Sequence, residues 1–591
     1  MPRSRRPPPQ PVRRPATLAA EPPAWLGLVA AVMAAVIVHG GGLRGFFAAD
    51  DLDFLSRALG LDPTPWGWAR PLPGAWRWQL FTAWFGVQPW PHLLLAWLLH
   101  ALCAMLVMRI AKLAGLGRRA AIVAGVVVAG SSVAYTSTHW ASGLGEVMSA
   151  AFALAALALH LECRVRPHRM LPWLAGACAV AAVGSKESVL LLPLAIYCFD
   201  SGVRVQGEGR GALREVTWLG GAAGLAVVMA WRFVPHVAGE AYALSPSAAH
   251  WAVNLCTYAA WLVRFADPLR DASAVAQPSL LPWGLAVFAL WAIAAWSERA
   301  SASRPVSAGL AWFVLLLAPV VPLAGHTYLY YLVAPLAGFG LAAGALLERT
   351  TSRLPGGSAI PLVLLLAAYV GNEAYQVHVR QTREVGGIIV DRVARESVLL
   401  RNVLDDLRDA HVTPGDSIAL VSPYPPRSVN ATEGVVRAAG AGFGEHAYVP
   451  LVSALRGGRA LELFMPGVRV VGMGDGVPPA WEGARVFRFE NDGHLSDLGR
   501  GSAALDSLAS DYVADERWQD ARRTLERMLE LGVDGPEVRW RLGASLSHLG
   551  DDRGGFEQAR LILERWPESP RAKLIRENAS RTNRPADSGT P

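Results

Sequence analysis

The run WLGLVAAVMAAVIVHGGGL (residues 25–43), followed at once by FFAADDLDFLSRALG (46–60), decides how the chain begins to fold. The first stretch is apolar over about the 20 residues that a helix needs to cross a bilayer. The second places Asp50, Asp51 and Asp53 within ten residues of the helix end. Ionised carboxylates are costly there unless water or a site receives them. The sequence therefore predicts a membrane helix that leads into an acidic segment at the membrane surface.

The composition extends this prediction to many helices. The 591 residues are 52% hydrophobic and 17% charged, whereas a soluble domain carries about 25% charged residues. The deficit of charge ends near residue 378. We therefore expect a polytopic α-helical membrane protein with about 11–12 spanning helices and a soluble C-terminal third. The expected spans lie near 24–43, 91–111, 119–138, 144–163, 171–185, 187–200, 214–235, 278–297, 305–323, 327–347 and 358–377, and the run at 250–266 is predicted to be re-entrant or interfacial.

Basic residues set the orientation. The formal charge is +7, and arginines concentrate in the proline-rich tail before the first span and in short connections such as 109–119 and 164–169. Cytoplasmic loops are enriched in basic residues, which predicts a cytoplasmic N-terminus, an external loop at 44–90 and an external C-terminal part. The expected location is the inner (plasma) membrane of a bacterium, with the C-terminal domain in the periplasm. Topology explains the charge, so no nucleic-acid partner is expected.

The region after the last span divides into an α/β domain and helical repeats. A helical pattern from 379 to 407 is followed by strand-like runs at 417–422, 468–473 and 484–489. The predicted domains are the basic tail 1–23, the membrane domain 24–377, the periplasmic α/β domain 378–500, the repeats 505–577 and a disordered tail 578–591.

The repeats are predicted from small-residue and aromatic spacing typical of tetratricopeptide repeats. Segments 508–529 and 542–563 share that spacing, and Leu508 to Leu542 is one period of 34 residues. The second copy is predicted to carry four extra residues, between Ala521 and its counterpart Ala559. An unrelated helical hairpin is the alternative.

Polar residues collect in the connections that this orientation places outside. Lys186 and Glu187 lie between two apolar runs, where a charge costs about 2.5–3.5 kcal/mol. They either neutralise each other at a tight turn or line a polar cavity. In the loop 44–90, tryptophans favour the headgroup level. Leucines at three- and four-residue spacing from Leu52 predict a short interfacial helix with the aspartates at its N-terminal end.

Several motifs in consistent order resemble the GT-C superfamily of membrane glycosyltransferases. Asp50-Asp51 after the first helix is similar to the acidic motif in the first external loop of that superfamily. In the motif at 327–342, His326-Thr327 stands where the family has Glu-Arg. The stretches that resemble the transmembrane and tetratricopeptide-repeat O-mannosyltransferases and their bacterial relatives are RPL (70–72), PHLLLAWLLHALCAML (91–106), THWASGLGEVMSAAF (138–152), GSKESVLLLPLAIYCFD (184–200) and TYLYYLVAPLAGFGLA (327–342).

The resemblance implies an enzyme that moves a monosaccharide from a polyprenyl-phosphate donor to an external protein or glycan acceptor. It implies that Asp50 is the base and that Asp51 orients it or the acceptor; two adjacent acids can also separate their pKa values. Lys186 and Arg70 are the candidates to bind the lipid phosphate, because cations at an apolar boundary need an anionic partner. The predicted substrate cavity further contains His92, His100, His139, Glu146, Glu187, His326 and Tyr330.

No cofactor is expected. No carboxylate–histidine cluster has metal-ligand spacing, and the five cysteines form no paired pattern. The expected partners are the polyprenyl-phosphate-sugar donor, the acceptor, the bilayer and a protein that binds the repeats. A second hypothesis is a non-catalytic scaffold of envelope glycoconjugate assembly. A third, a transporter, would need inverted repeats and broken helices at mid-membrane, which the sequence does not display.

Overall fold

The computed structural model describes residues 23–66, 70–203, 219–220, 222, 224, 243–263, 268–271, 274–301, 303–351, 360–385, 388–421, 454–474, 483–490 and 493–582. Three sequence predictions lie largely outside these ranges: the basic tail, the span at 214–235 and the polar tail beyond Thr582.

Helices make up most of the described chain up to Thr382. They are α1 (Ala24–His39), α2 (Asp51–Ala58), α3 (Arg77–Phe85), α4 (Trp90–Leu113), α5 (Arg118–Ala129), α6 (Tyr135–His139), α7 (Leu144–Val165), α8 (Leu171–Ser185), α9 (Leu192–Gly202), α10 (Ala248–Trp261), α11 (Leu281–Ser297), α12 (Pro305–Leu317), α13 (Leu336–Thr351) and α14 (Ile360–Thr382).

In the described part of the chain, six helical segments are long and apolar enough to cross a membrane, so the protein is a multi-pass membrane protein. α8 and α12 are apolar but shorter. α10, within the ambiguous run 250–266, has 14 residues. It spans about 21 Å at 1.5 Å per residue, less than a hydrocarbon core of about 30 Å. The total number of crossings stays a prediction. The six segments are Trp25–Arg44, Trp90–Leu113, Arg118–His139, Leu144–Val165, Pro278–Trp296 and Ile360–Thr382.

The two ends of the bundle are held by different contacts. At one end, arginines of the short connections pair with acids of the helices. At the other end, which we call the loop end, Gly42 after α1 lies against the backbone of Thr138 in α6, and Gly145 of α7 lies against that of Ser185 in α8. The arginine pairs at the first end are Arg109–Glu162, Arg164–Asp200 and Arg349–Glu298.

An α/β unit follows the last span. Its four-stranded sheet has the order β4-β3-β5-β6, in which β3 is parallel to β4 and β5, and β5 is antiparallel to β6. The strand-like runs of the sequence fall on β3, β4 and β5. The elements are β1 (Glu384–Val385), β2 (Ile388–Ile389), α15 (Arg392–Asp409), β3 (Ser417–Val421), α16 (Arg459–Phe464), β4 (Arg469–Gly474), β5 (Arg485–Phe489) and β6 (Leu495–Arg500).

The single helix predicted from 379 to 407 is wrong. α14 continues to Thr382, a short strand pair intervenes, and α15 starts at Arg392. Asp391 is the N-cap, and its Oδ1 accepts a hydrogen bond from the backbone N–H of Ala394 at 3.0 Å. An Asp N-cap stabilises a helix start by about 1 kcal/mol, so this local signal outweighs the apolar periodicity.

The apolar face of α2 packs on the C-terminal domain. The prediction that this face lies on the membrane surface is therefore wrong. Leu52 and Leu55 are fully buried in one cluster with Leu455 and Leu461. Burying a leucine side chain stabilises by about 1.5–3 kcal/mol, so these contacts hold the C-terminal domain against the first loop. Periodicity identifies an apolar helix face without saying which apolar surface covers it.

Five consecutive helices end the described chain, and they recur at a fixed interval. Ser502 to Pro536 and Trp518 to Asp552, the starts of equivalent helices, are both intervals of 34 residues. The period predicted from sequence is therefore present, but the four extra residues are not. Their assignment as tetratricopeptide repeats stays a prediction. The helices are α17 (Ser502–Ala514), α18 (Trp518–Glu530), α19 (Pro536–His548), α20 (Asp552–Arg565) and α21 (Pro570–Thr582).

Candidate functional site

The two aspartates at the start of α2 lie in opposite environments. Asp51 is fully buried; it accepts hydrogen bonds from the backbone N–H groups of Ala48, at 3.0 Å, and Ser142, at 2.7 Å, and from the Ser142 hydroxyl. Burial raises the pKa of Asp51 to about 7, although these hydrogen bonds and Arg77 lower it. Asp51 thus ties α2 to the turn between α6 and α7. Burial, rather than repulsion from the adjacent acid, is the main cause of this shift in pKa.

Asp50 is the N-cap residue of α2 but makes no capping hydrogen bond. Its side chain is 52% exposed, and Oδ1 accepts a hydrogen bond from Nη2 of Arg456 at 2.8 Å. The same nitrogen donates to Oδ2 of Asp53 at 2.6 Å. Among the described residues, the hydrogen bond to the Asp50 carboxylate is made to Oδ1. One oxygen of this acid is therefore held in place, while the side chain remains accessible to water.

Arg392 brings a positive charge to the same place, and sequence reasoning missed it. Its Nε donates to Oε1 of buried Glu396 at 3.0 Å. Burial disfavours the charged guanidinium, but Glu396, Asp50 and Tyr328 together raise the pKa of Arg392. Arg392 therefore lies within electrostatic range of the Asp50 carboxylate and the Tyr328 hydroxyl. No motif marks this residue, because its position depends on the break between α14 and α15.

Lys186 and Glu187 have separate partners, so the self-neutralising turn is wrong. Nζ of Lys186 lies 2.7 Å from Oε1 of Glu146, in the first turn of α7. Glu187 accepts two hydrogen bonds from Arg70, one of them from Nε at 2.8 Å. Burial favours protonated Glu187, yet Arg70 and Lys186 lower the pKa of Glu187 to about 2. Four predicted site residues thus form two adjoining ion pairs.

A stacked pair of tyrosine rings lies next to Lys186. Nζ of Lys186 lies 5.4 Å from the ring centroid of Tyr330, within range of a cation–π contact. Tyr330 stacks on Tyr328 with 5.1 Å between centroids, and Tyr328 and Asp50 both act on Arg392. Contacts therefore lead from Lys186 to Tyr328, and Tyr328 and Asp50 are both within electrostatic range of Arg392 at the loop end.

The segment before α13 also contains the departure from the family pattern. Nε2 of His326 forms a 3.1 Å hydrogen bond with the Tyr330 hydroxyl. Burial and the charge of Lys186 lower the pKa of His326 to about 4, so it is neutral at physiological pH. Thr327 is fully buried and donates to Oδ1 of Asn254 at 3.1 Å. A neutral pair thus occupies the position of the family's Glu-Arg.

The other predicted histidines lie in packed positions. His92 is fully buried, with its ring centroid 4.3 Å from that of Trp78. His100 and His139 are buried, and each hydrogen-bonds a backbone carbonyl oxygen, at 3.0 and 3.1 Å. These contacts support the helix ends around the site, and direct contact with a substrate stays a prediction.

A buried arginine between two acids fixes the entry to α15, and sequence reasoning missed this as well. Nε of Arg380 donates to Oδ2 of Asp391 at 2.7 Å, and Nη1 donates to Oδ1 of Asp271 at 2.9 Å. The guanidinium also lies 4.8 Å from the ring centroid of Tyr135. Since Asp391 is the N-cap of α15, this network sets the position of Arg392.

The arrangement supplies a water-accessible carboxylate, Asp50, and two paired cations, Lys186 and Arg70. Within the described ranges, no group of three or more His, Cys, Asp or Glu residues is placed to hold a metal ion. A carboxylate suits proton abstraction, and cations suit an anionic group.

No family model and no curated protein matches the chain. Solved structures that resemble it include ArnT from Cupriavidus metallidurans bound to undecaprenyl phosphate, at 15% identity and TM-score 0.42, over 76% of this chain and 88% of that chain. Another is the oligosaccharyltransferase of Archaeoglobus fulgidus in the apo form, at 14% identity and TM-score 0.38, over 70% of this chain and 64% of that chain. Both are GT-C glycosyltransferases, the superfamily that the sequence motifs resemble.

Proposed function

We propose that this protein is a membrane glycosyltransferase that moves a monosaccharide from a polyprenyl-phosphate-linked donor to an external protein or glycan acceptor. The observation that carries the proposal is that an exposed carboxylate, Asp50, and the paired cations Lys186 and Arg70 lie at the same end of the bundle. Transfer from a lipid phosphate needs a base and an anion site close together. The motifs that resemble the GT-C superfamily support the same reaction.

Asp50 acts as the base in this proposal. It takes the proton of an acceptor hydroxyl, the acceptor oxygen bonds to the anomeric carbon, and the bond from that carbon to the phosphate oxygen breaks. The phosphate leaves on its lipid with the bonding electron pair. One carboxylate suffices for such a single-step inverting transfer. Asp51, whose oxygens are held by Ala48 and Ser142, has a scaffolding role.

Lys186 and Arg70 receive the donor phosphate in this proposal. The Arg70 and Glu187 side chains are 37% and 38% exposed, whereas those of Lys186 and Glu146 are 10% and 8% exposed. Arg70 is therefore the cation that a phosphate reaches first, and its planar guanidinium suits two-point binding. Lys186 adds a fixed charge behind it. Because these cations meet the charge of the leaving phosphate, the proposal requires no metal ion or other cofactor.

The site is proposed to face the periplasm of a bacterial inner membrane. The arginine-bearing connections near Arg109, Arg164 and Arg349 lie at the bundle end opposite the site. Basic loops remain on the cytoplasmic side, which places the N-terminus there and the loop end outside. The helices α17–α21, with their 34-residue interval, are proposed to bind a protein partner, the acceptor among them.

The experiment compares sugar transfer by three proteins in inner-membrane vesicles that contain undecaprenyl-phosphate-linked mannose, glucose or galactose. The wild type is expected to transfer at least one sugar to protein or glycan, and Asp50→Asn to lower the rate about 10²–10⁴-fold, the usual contribution of a general base. Asp405→Asn is the control, because Asp405 is 56% exposed and pairs with Arg408 in α15 outside the site. Equal transfer by wild type and Asp50→Asn would overturn Asp50 as the base, and no transfer by wild type would overturn the enzyme and favour the scaffold.

A further inference from the structure

One guanidinium of the C-terminal domain is shared by two acids of the first loop. Nη2 of Arg456 donates to Oδ1 of Asp50 at 2.8 Å and to Oδ2 of Asp53 at 2.6 Å. Arg459, the first residue of α16, donates to the other oxygen of Asp53 at 2.8 Å and reaches Asp62 at 3.5 Å. Arg456 is therefore the residue of this pair that touches Asp50.

The backbone at Arg456 is built to deliver this contact. Arg456 has φ +48°, and the following Gly457 and Gly458 have φ +64° and +101°. A left-handed conformation is unfavourable for a residue with a side chain. It persists only where the surrounding structure holds it, and such residues cluster at functional sites. The turn before α16 thus holds the residue that binds Asp50 in a strained backbone conformation.

We propose that Arg456 is a positioning residue for Asp50. It holds Oδ1 so that Oδ2 meets the acceptor hydroxyl and takes its proton. This inference rests on the proposed function, and it deepens it: the C-terminal domain completes the catalytic arrangement, which the membrane domain alone does not contain.

A purely structural role explains the contact less well. The Asp50 side chain does not cap α2, so the helix start does not depend on it. Docking of the C-terminal domain is provided by the buried leucines of α2 and by Leu455 and Leu461. The ion pair joins side chains that are 29% and 52% exposed, and partly exposed pairs stabilise weakly. The geometry of the carboxylate is what the guanidinium controls.

Direct binding of the donor phosphate by Arg456 is also disfavoured. Nη2 of Arg456 is already engaged by two carboxylates, so a phosphate bound to Arg456 would lie directly beside both of them. An approaching phosphate would meet repulsion from Asp53 as well as from Asp50. The anion site remains with Arg70 and Lys186.

The test measures kcat and KM for transfer from the undecaprenyl-phosphate sugars named above, in full-length reconstituted protein. Arg456→Gln is expected to lower kcat about 10–100-fold, the cost of a misplaced catalytic group, with a change in KM for the donor below about threefold. Arg456→Lys, which keeps the charge, is expected to recover part of the loss. Arg459→Gln is the matched control, because Arg459 is similarly exposed and does not touch Asp50, and it is expected to behave as wild type.

A double variant and a binding measurement separate positioning from the other roles. If Arg456 acts through Asp50, adding Arg456→Gln to Asp50→Asn costs no further activity. Affinity for undecaprenyl phosphate without sugar is expected to stay within about threefold of wild type in Arg456→Gln. Wild-type transfer together with Arg456→Gln equal to Arg459→Gln, or an additive double variant, would overturn this inference alone. A wild type that transfers no sugar would overturn the proposed function and this inference with it.

Discussion

Two ion-pair groups at the loop end differ in how they are held. The Lys186–Glu146 pair joins two elements of the membrane bundle, and its side chains are 10% and 8% exposed. The Asp50–Arg456 pair joins the first loop to the C-terminal domain, and its side chains are 52% and 29% exposed. The first group is fixed by the bundle and sheltered from water, whereas the second is open to water and depends on a contact between domains.

The difference fits the two halves of the proposed reaction. A cation beside lipid must be paired before the donor arrives, since an unpaired charge away from water is costly. The base must be reached by an acceptor that comes from water, so Asp50 stays exposed. We therefore expect Lys186 and Arg70 to determine where the phosphate lies, and Asp50 with Arg456 to determine where the acceptor lies.

The largest expected effect on stability breaks the buried group. Lys186→Met leaves the Glu146 carboxylate buried beside an apolar side chain, and removing one partner of a buried pair costs about 3–5 kcal/mol. Arg70→Gln breaks the half-exposed pair with Glu187 and is expected to cost about 0–1 kcal/mol. The midpoints of thermal unfolding in one detergent at equal protein concentration measure both.

The double variant Lys186→Met with Glu146→Gln provides the control, because it removes both charges. It is expected to recover most of the stability lost in Lys186→Met. Equal destabilisation by Lys186→Met and Arg70→Gln would contradict the distinction between a buried and a half-exposed pair.

A smaller effect on stability, its dependence on pH, is expected from buried Asp51 and not from its exposed neighbour Asp50. The pKa of Asp51 is raised from 3.8 to about 7 by burial. Between these values the folded protein keeps a proton that the unfolded chain has lost, so stability falls as pH rises through this range. The loss amounts to about 2 kcal/mol between pH 5 and pH 7. Asp51→Asn cannot ionise and is expected to flatten this dependence. An unchanged slope in thermal unfolding from pH 5 to pH 7 would show that Asp51 is not the group responsible.

Sequence patterns predicted the parts of the fold that depend on local chemistry. Apolar runs indicated the long helices, strand-like runs marked β3, β4 and β5, and the 34-residue interval appeared in the last helices. Four charged site candidates were also evident from sequence, because charges inside an apolar region need partners: Arg70, Glu146, Lys186 and Glu187. Each of these signals lies within a short segment or follows from the cost of burying charge.

The contacts between distant segments could not be read from the sequence. The pairing of Asp50 with Arg456 spans 406 residues, and the apolar face of α2 carries no mark of whether lipid or protein covers it. Arg392 and Arg380 obtain their positions from the break at Asp391, where one capping carboxylate outweighs a long helical periodicity. The pKa of Asp51 follows from burial, which the adjacent acid in the sequence does not reveal.

One experiment separates the two groups most sharply: binding of sugar-free undecaprenyl phosphate and transfer of sugar, both measured on the same reconstituted protein. Asp50→Asn is expected to keep phosphate binding within about threefold of wild type and to lose transfer about 10²–10⁴-fold. Arg70→Gln is expected to weaken phosphate binding about tenfold, the effect of losing a charge-assisted contact worth about 1.4 kcal/mol. Wild-type transfer by Asp50→Asn, or undiminished phosphate binding by Arg70→Gln, would contradict the assignment of acceptor and donor to these two sides of one site.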